Sequence, residues 1–598
     1  MAEDVSELTD AGFSGRGRDR LTRPVVSGFR VIATSGNPLT TAAAIQVLSR
    51  GGNAIDAGVA AAVAAAVVEP TASYSLATEV TGLIYDATSQ QIVAVNGQGC
   101  APQRATIDLF RARGKSLIPV GPGADAPLSF TLPGAIDAWI LALDQHGRLS
   151  LGEVLQPAIE YAEQGFPMYR YMSLLLKAPG VIEQLTRFFP QGAAYFHPNG
   201  RVPEPGERFV QTALANVLKK MVQAEEQARS RGRSAGLQAA RDVFYTGEIA
   251  HAIVALSEEV GGLLSLEDFA NYHSALEAPI QTTYRGIDVY GHRTWSQSAT
   301  LLQTLNILEG FDLRSLGQNS PAYIHVLTEA LKLAMADRER YYGDPDFVQV
   351  PLDALLSKEY AAERRKLIDL DKAAPELPAY GDPIAKRAVG GTMHLNGILG
   401  ATGSSHDGTT HLSVVDAEGN IFTATPSGGR LGGGVVVPGM GFTLSHRSEI
   451  FYLDATHANA LQPGKRPRTT LVCYYACKAG KPWLTFGCPG GDNQVQADLQ
   501  LFLNVVEFGM NPQEAVEAPR FSSSSFPGSF YPHAYAPGQL NVERRLSGQL
   551  HEALALKGHR IHIVDNVGMG AIVTMIDPAT GARSAGADPR RPTYAFGW

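Results

Sequence analysis

The sequence predicts an α+β fold of stacked layers, and three features predict it. Short alternating strands mix with helices before Ala135, the middle from about Ala135 to Ala361 reads as mainly helical, and the chain after Thr409 is rich in strand patterns. Strands, then helices, then strands again fit layers of helix on sheet.

In order, Gly28–Thr34 alternates and reads as a strand. Thr40–Arg50 and Ala54–Val68 read as two helices broken at Gly51-Gly52-Asn53. Ala57–Val68 is the most apolar run, but a bilayer span needs roughly 20 residues, so it predicts a buried helix and no membrane partner. Leu83–Tyr85 and Ile92–Val95 predict a hairpin around 86–90. Asn216–Arg241 is polar and helix-favouring, and Tyr323–Arg340 carries Ile324, Leu327, Leu331 and Ala334 on one helical face. From about Lys372 to Gly408 periodicity fades and Pro, Gly, Ala and Ser accumulate, which predicts a flexible, exposed approach. Leu412–Val415 and Ile421–Thr425 predict a hairpin around 416–420, and a helix is expected near Asn493–Glu507. No internal repeat is visible.

With 598 residues, 44% of them hydrophobic, the chain has ample material for a core. A formal net charge of -8 argues against nucleic acid as a partner, because polyanion binders carry a basic face. The four cysteines, Cys100, Cys473, Cys477 and Cys488, are too few for a disulfide framework. Cys473 and Cys477 share a strand face with no second ligand pair, which predicts buried thiols rather than a metal site. Met1 to about Arg23 is polar and lacks the apolar core of a secretory signal, so residues 1–28 read as a flexible tail and the expected location is cytoplasmic.

The chemistry gathers at Asp407-Gly408-Thr409-Thr410-His411-Leu412-Ser413, a polar, glycine-bearing loop running into a strand. Threonine suits a strand start, so these residues are unremarkable by themselves. A threonine after a glycine can also be a latent N-terminus. Cutting Gly408–Thr409 would place a hydroxyl nucleophile and a free α-amine on one residue, the amine activating the hydroxyl. An α-amine has an ordinary pKa of about 8, so part of it is neutral near pH 7. His406 and His411 flank the threonines but read as structural. Gly232-Arg233-Ser234-Ala235-Gly236 matches G-x-S-x-G yet lies in a polar helical tract rather than at a strand-to-helix turn. The glycine-rich run 428–434 lacks the Lys-Ser/Thr ending of a phosphate loop and reads as a loop beside the site.

The stretch 407–420 resembles the nucleophile segment of the γ-glutamyltransferase family. Further motifs follow in family order: 48–57, 132–135, 305–309, Ala336-Asp337-Arg338, 343–347, 463–467, Gly487-Cys488-Pro489-Gly490-Gly491, 517–521 and Asp588-Pro589-Arg590. Together they span roughly residues 29–598. The resemblance implies the N-terminal-nucleophile hydrolase architecture, a four-layer αββα sandwich of two antiparallel sheets between helix layers. It implies a precursor that cuts itself into residues 29–408, behind the tail, and 409–598, both parts of one fold. One large and one small subunit are then expected, or a dimer of such pairs. Thr409 is the expected nucleophile, Ser427 the hydroxyl supporting it, and Gly490 and Gly491 the oxyanion donors, glycines that also suit a plain strand-to-helix turn. Thr410, Thr469 and Thr470 are expected near the substrate. No metal or organic cofactor is implied.

The chain departs from the family where the γ-glutamyl group is held. Gln98 stands in place of an arginine, and a glutamine cannot clamp a carboxylate as arginine does. Ile450 stands in place of an aspartate, and Tyr74-Ser75-Leu76-Ala77-Thr78-Glu79 replaces a glycine run. Arg447 is expected to hold a different acyl carboxylate. The chain is thus more similar to the amidohydrolase branch, with its oxamate amidohydrolase and cephalosporin acylases. The expected activity is hydrolysis of a small, acidic acyl amide through a threonyl ester. The alternatives are a true γ-glutamyltransferase with a remodelled pocket and an unprocessed, non-catalytic binding protein.

Overall fold

The computed structural model describes residues 21–393 and 408–598. The N-terminal tail up to residue 20 and residues 394–407 of the approach to Gly408, His406 among them, lie outside the described residues.

Two seven-stranded sheets form the centre, and every pairing within them is antiparallel. The first runs Tyr594–Gly597, Ile32–Ser35, Leu412–Val415, Ile421–Ser427, Glu79–Asp86, Gln91–Gly97 and Ala275–Glu277. The second runs Val26–Gly28, Arg583–Ala587, Ile572–Ile576, Lys481–Gly487, Tyr474–Lys478, Ile287–Gly291 and Ile280–Tyr284.

Strand alternation sorts the side chains into three cores. Val414 and Phe422, paired across the hairpin 412–427, face the helices Pro38–Ser49, Ala54–Val68 and Ala135–His146. Their neighbours Val415 and Ile421 face the other way and meet Cys473, Tyr475 and Cys477 between the sheets. Val289, Tyr474, Phe486 and Val573 pack outward on the helices Ser298–Leu308, Pro321–Tyr341 and Asn493–Val506. Helix, sheet, sheet, helix is the four-layer sandwich expected.

Local chemistry seats the layer beneath the site. Asn53 and Asp56 form a capping box at the start of the helix Ala54–Val68, all of whose residues are buried. Asp416, in the turn of the hairpin 412–427, accepts the Ala54 N–H at 2.8 Å and places a carboxylate at that helix N-terminus. A Cβ on Gly58 would sit 2.1 Å from the Phe422 ring, so glycine here lets helix and sheet close up.

Several sequence expectations are revised. The strand read as Gly28–Thr34 is two, Val26–Gly28 and Ile32–Ser35, in different sheets. The polar helix at 216–241 is two, Thr212–Ala228 and Arg233–Tyr245, parted at Gly232 with φ 106°. The helical middle also contains the strands Ala275–Glu277, Ile280–Tyr284 and Ile287–Gly291, too short to stand out against their helical surroundings. The cysteines are free thiols, with Cys473, Cys477 and Cys488 buried.

Candidate active site

Thr409 lies just before the strand Leu412–Val415, which is pinned between Ile32–Ser35 and Ile421–Ser427. The Thr410 N–H donates to Pro426 O at 3.3 Å. Thr409 is 4% exposed, and its φ of 87° lies in the left-handed region that non-glycine residues avoid. Three contacts hold it there. Its N–H donates to Ala72 O, its carbonyl accepts from Arg591 Nη1 at 2.9 Å, and its hydroxyl donates to Ser427 Oγ at 3.0 Å. Gly408 is equally confined: a Cβ there would lie 1.9 Å from Ser73 Oγ.

Thr409 and Ser427 open into a cavity of about 430 Å³, whose wall includes Ser73, Val181, Arg430, His446, Arg447, Glu449, Gly491 and Phe530. Its polar side is built from the turn Arg447–Ile450. The Arg447 Nε donates to Glu79 at 2.5 Å, Ser445 Oγ donates to the other Glu79 oxygen at 2.6 Å, and the guanidinium lies 5.4 Å above the Phe530 ring. Arg447 Nη2 is buried and has no hydrogen-bond partner. Arg430 pairs with Glu449 at 3.3 Å. The Arg430 N–H donates to His446 Nε2 at 3.0 Å, which assigns the proton of neutral His446 to Nδ1, 3.2 Å from Glu449.

Gly490 and Gly491 follow the strand Lys481–Gly487 and have φ of 131° and 57°. Among the described residues neither N–H donates a hydrogen bond. Their carbonyls are used: Asn493 and Gln494 at the start of a helix donate to Gly490 O and Gly491 O at 2.9 and 3.1 Å. Gln297 Nε2 spans Gly491 O at 3.2 Å and Thr470 O at 2.9 Å, and Arg338 Nη1 holds both Gln297 Oε1 at 2.8 Å and Asp492 Oδ1 at 2.6 Å. Gly491 lines the Thr409 cavity and also a neighbouring one of about 150 Å³, whereas Gly490 lines the smaller one only.

Behind Thr409 sits Glu69, whose oxygens accept from Thr40 at 2.9 Å and Thr410 at 3.1 Å. Burial disfavours its charge and pushes its pKa up to about 7. His411 points between the sheets, where its Nδ1 lies 2.8 Å from Thr425 Oγ1. Burial pulls its pKa down to about 3, and it does not line the cavity, in keeping with a structural histidine.

The residues predicted from sequence are thus only partly gathered. Thr409, Ser427, Arg447 and Gly491 share one cavity, and Thr410 stands behind it. Gln98 is fully buried, donates from Nε2 to Gly99 O at 3.2 Å and does not line the cavity. Thr469, Thr470 and Ile450 are buried outside it as well. Several residues of the site escaped the sequence reading, among them Glu69, Glu79, Gln297, Glu449 and Arg591. Only Glu79 lay in a stretch already marked as divergent, and the motif at 588–590 drew the eye to Arg590, which pairs with Asp588 and Glu543 instead. Among the described residues one group has metal-ligand spacing, His325, Glu329 and His559. It is engaged otherwise: the two rings lie 2.9 Å apart, and Glu329 pairs with buried Lys332 at 2.7 Å, whose charge opposes a cation.

The chain is similar to known proteins along nearly its whole length. The family model described as Gamma-glutamyltranspeptidase matches residues 40–598. The glutathione hydrolase-like YwrD proenzyme of Bacillus subtilis (strain 168) is 32% identical over 583 residues, covering 96% of this chain and 99% of that protein. The acylase ACY 1 proenzyme of Pseudomonas sp. (strain SE83) is 32% identical over 551 residues, covering 90% of this chain and 88% of that one. The crystal structure of cephalosporin acylase from Bacillus halodurans superposes with a TM-score of 0.83 at 30% identity, covering 98% of both chains.

Proposed function

The chain belongs to the gamma-glutamyltranspeptidase family, hydrolases and transferases of amide C–N bonds, and from that premise we propose that it is a self-cutting amidohydrolase whose nucleophile is Thr409. The observation that carries this reading is the Thr409 hydroxyl, hydrogen-bonded to Ser427 and facing a cavity that Gly491 also lines.

Cutting comes first. Thr409 Oγ attacks the Gly408 carbonyl, the peptide nitrogen leaves as the α-amine, and water hydrolyses the resulting ester to give residues 1–408 and 409–598. In turnover the neutral α-amine takes the Oγ proton as Oγ adds to a substrate amide. The Gly491 N–H, which lines the cavity, stabilises the oxyanion, with the Gly490 N–H as the second donor once substrate draws the loop in, a contribution worth about 10²–10³ in rate. The amine departs with the proton, and water releases the acyl group from the threonyl ester. Ser427 Oγ orients the hydroxyl throughout.

An acyl group ending in a carboxylate suits the pocket. Its guanidiniums, Arg430 and Arg447, are paired with Glu449 and Glu79, but Arg447 Nη2 has no hydrogen-bond partner and is the donor such a carboxylate would meet. A glutathione-hydrolase-like reading rests on the YwrD relative's name. Turnover of γ-glutamyl-p-nitroanilide, accelerated by glycylglycine, would favour it over simple hydrolysis of another acyl amide. No helix among the described residues is long and apolar enough to cross a membrane.

The test is intact mass with N-terminal sequencing of the wild type, Thr409→Ala and Thr409→Ser. The wild type should give two chains, the smaller beginning at Thr409. Thr409→Ala should stay one inactive chain, and Thr409→Ser should cut and keep part of the activity. A wild type that stays at full mass on prolonged incubation overturns the reading.

A further inference from the structure

Cutting the chain at Gly408 creates a problem of charge. The new α-amine belongs to a residue only 4% exposed, and a buried cation is costly without a partner. We propose that Glu69 is the built-in counter-charge of the mature nucleophile's α-amine, and that it thereby sets the pH range in which Thr409 acts. This rests on the reading above that Thr409 becomes an N-terminus.

The geometry is local and closed. Glu69 O accepts the Ala72 N–H at 2.8 Å, and Ala72 O takes the Thr409 N–H, so one turn carries both the carboxyl and the acceptor for the nucleophile's nitrogen. Glu69 Oε2 accepts from Thr410, the next residue along, at 3.1 Å. Room for this carboxyl exists because residue 36 is glycine: a Cβ there would lie 2.4 Å from Oε2. On the other side Arg591 holds the Thr409 carbonyl.

The charged and titratable groups around the site are otherwise committed. Across the cavity Glu449 serves Arg430 and His446, and Glu79 serves Arg447. Tyr169 donates to Val68 O at 3.0 Å, and Tyr171 lies under the Arg591 guanidinium at 5.5 Å. Among the described residues neither Glu69 nor Arg591 forms an ion pair. Before cutting, burial raises the Glu69 pKa to about 7 against the opposing pull of the Thr40 and Thr410 hydroxyls and of Arg591. After cutting, its proton passes to the amine nitrogen, giving carboxylate and ammonium from acid and amine with no other reactant. The carboxylate raises the amine's pKa, and Arg591 opposes it, which keeps the base near the working pH.

The experiment is the pH profile of kcat/KM for processed wild type, Glu69→Gln and Glu69→Asp. Glu69→Gln should move the acid limb about one unit to lower pH, and Glu69→Asp should leave it in place. An unmoved limb in Glu69→Gln overturns the proposal, whatever happens to kcat, and leaves the new Gly408 carboxylate as the counter-charge. Thermal melting of the processed wild type and uncut Thr409→Ala keeps the idea testable if Glu69→Gln does not cut. In the uncut protein the folded pKa exceeds the unfolded one, so Glu69 favours folding below about pH 4.5 and loses that contribution as pH rises through 7. The uncut protein should therefore lose more Tm between pH 5 and 7.5 than the processed one, and parallel curves overturn the proposal. Failure of the wild type to cut sinks the underlying reading instead.

Discussion

Arg447 shows how much one side chain decides here. Its Nε is spent on Glu79 and its face on Phe530, while Nη2 is a buried donor without a hydrogen-bond partner. Replacing it also strands the Glu79 carboxylate, and an uncompensated buried charge costs about 3–5 kcal/mol. The informative variant is therefore Glu79→Gln with Arg447→Met. For an acyl anilide ending in a carboxylate, kcat/KM should fall about 10- to 100-fold, the worth of a charged hydrogen bond. For the methyl ester of the same compound it should change by less than about threefold. Equal losses on both substrates would remove Arg447 from substrate recognition. Gln98 is the contrasting residue: it was singled out because of what it replaces, but its side chain turns to Gly99 O, away from the cavity.

At the scale of elements, the loop Gly490–Gly491 and the hairpin 412–427 do most to place the chemistry. The loop needs positive φ at both glycines, and a Cβ on Gly491 would meet the Phe530 ring at 2.9 Å. Gly491→Ala should lower kcat by about 10²–10³-fold while lowering Tm only slightly, because Gln297 and Arg338 anchor the loop through its carbonyl and Asp492. Steady-state kinetics and a melting curve check both halves; a large Tm loss with proportionate inactivation would make the loop structural only. The hairpin was legible in the sequence because its turn, Asp416 to Asn420, declares itself through Gly419 at φ 92° and an Asp–Asn hydrogen bond of 2.8 Å. The strands at 275–291 were not legible: three, five and five residues long, they alternate too briefly to outweigh the helices on either side.

For the whole molecule, the expected cut leaves two pieces that share both sheets. Leu412–Val415, from the C-terminal piece, pairs with Ile32–Ser35 from the N-terminal one, and Ile421–Ser427 pairs with Glu79–Asp86. The other sheet joins the pieces again through Val26–Gly28 with Arg583–Ala587 and Tyr474–Lys478 with Ile287–Gly291. The two pieces should co-elute as one particle in native buffer and part only in denaturant, at the same midpoint at which far-UV circular dichroism is lost. Release of the smaller piece without unfolding would contradict this interlocking.

Sequence by itself determined the layered α+β class, the hairpin and its turn glycine, since each is written in neighbouring residues through periodicity and turn chemistry; the four-layer sandwich and the proposed threonine step came from motifs shared with a family. Tertiary structure decided what surrounds that step. Glu79 meets Arg447 across 368 positions, Thr410 meets Glu69 across 341, and Arg591 reaches Thr409 across 182. Such partners carry no local signature. A buried charge is specified by whatever folding brings within a few ångströms of it, because in a low-dielectric interior that neighbour sets its cost, its direction and its pKa.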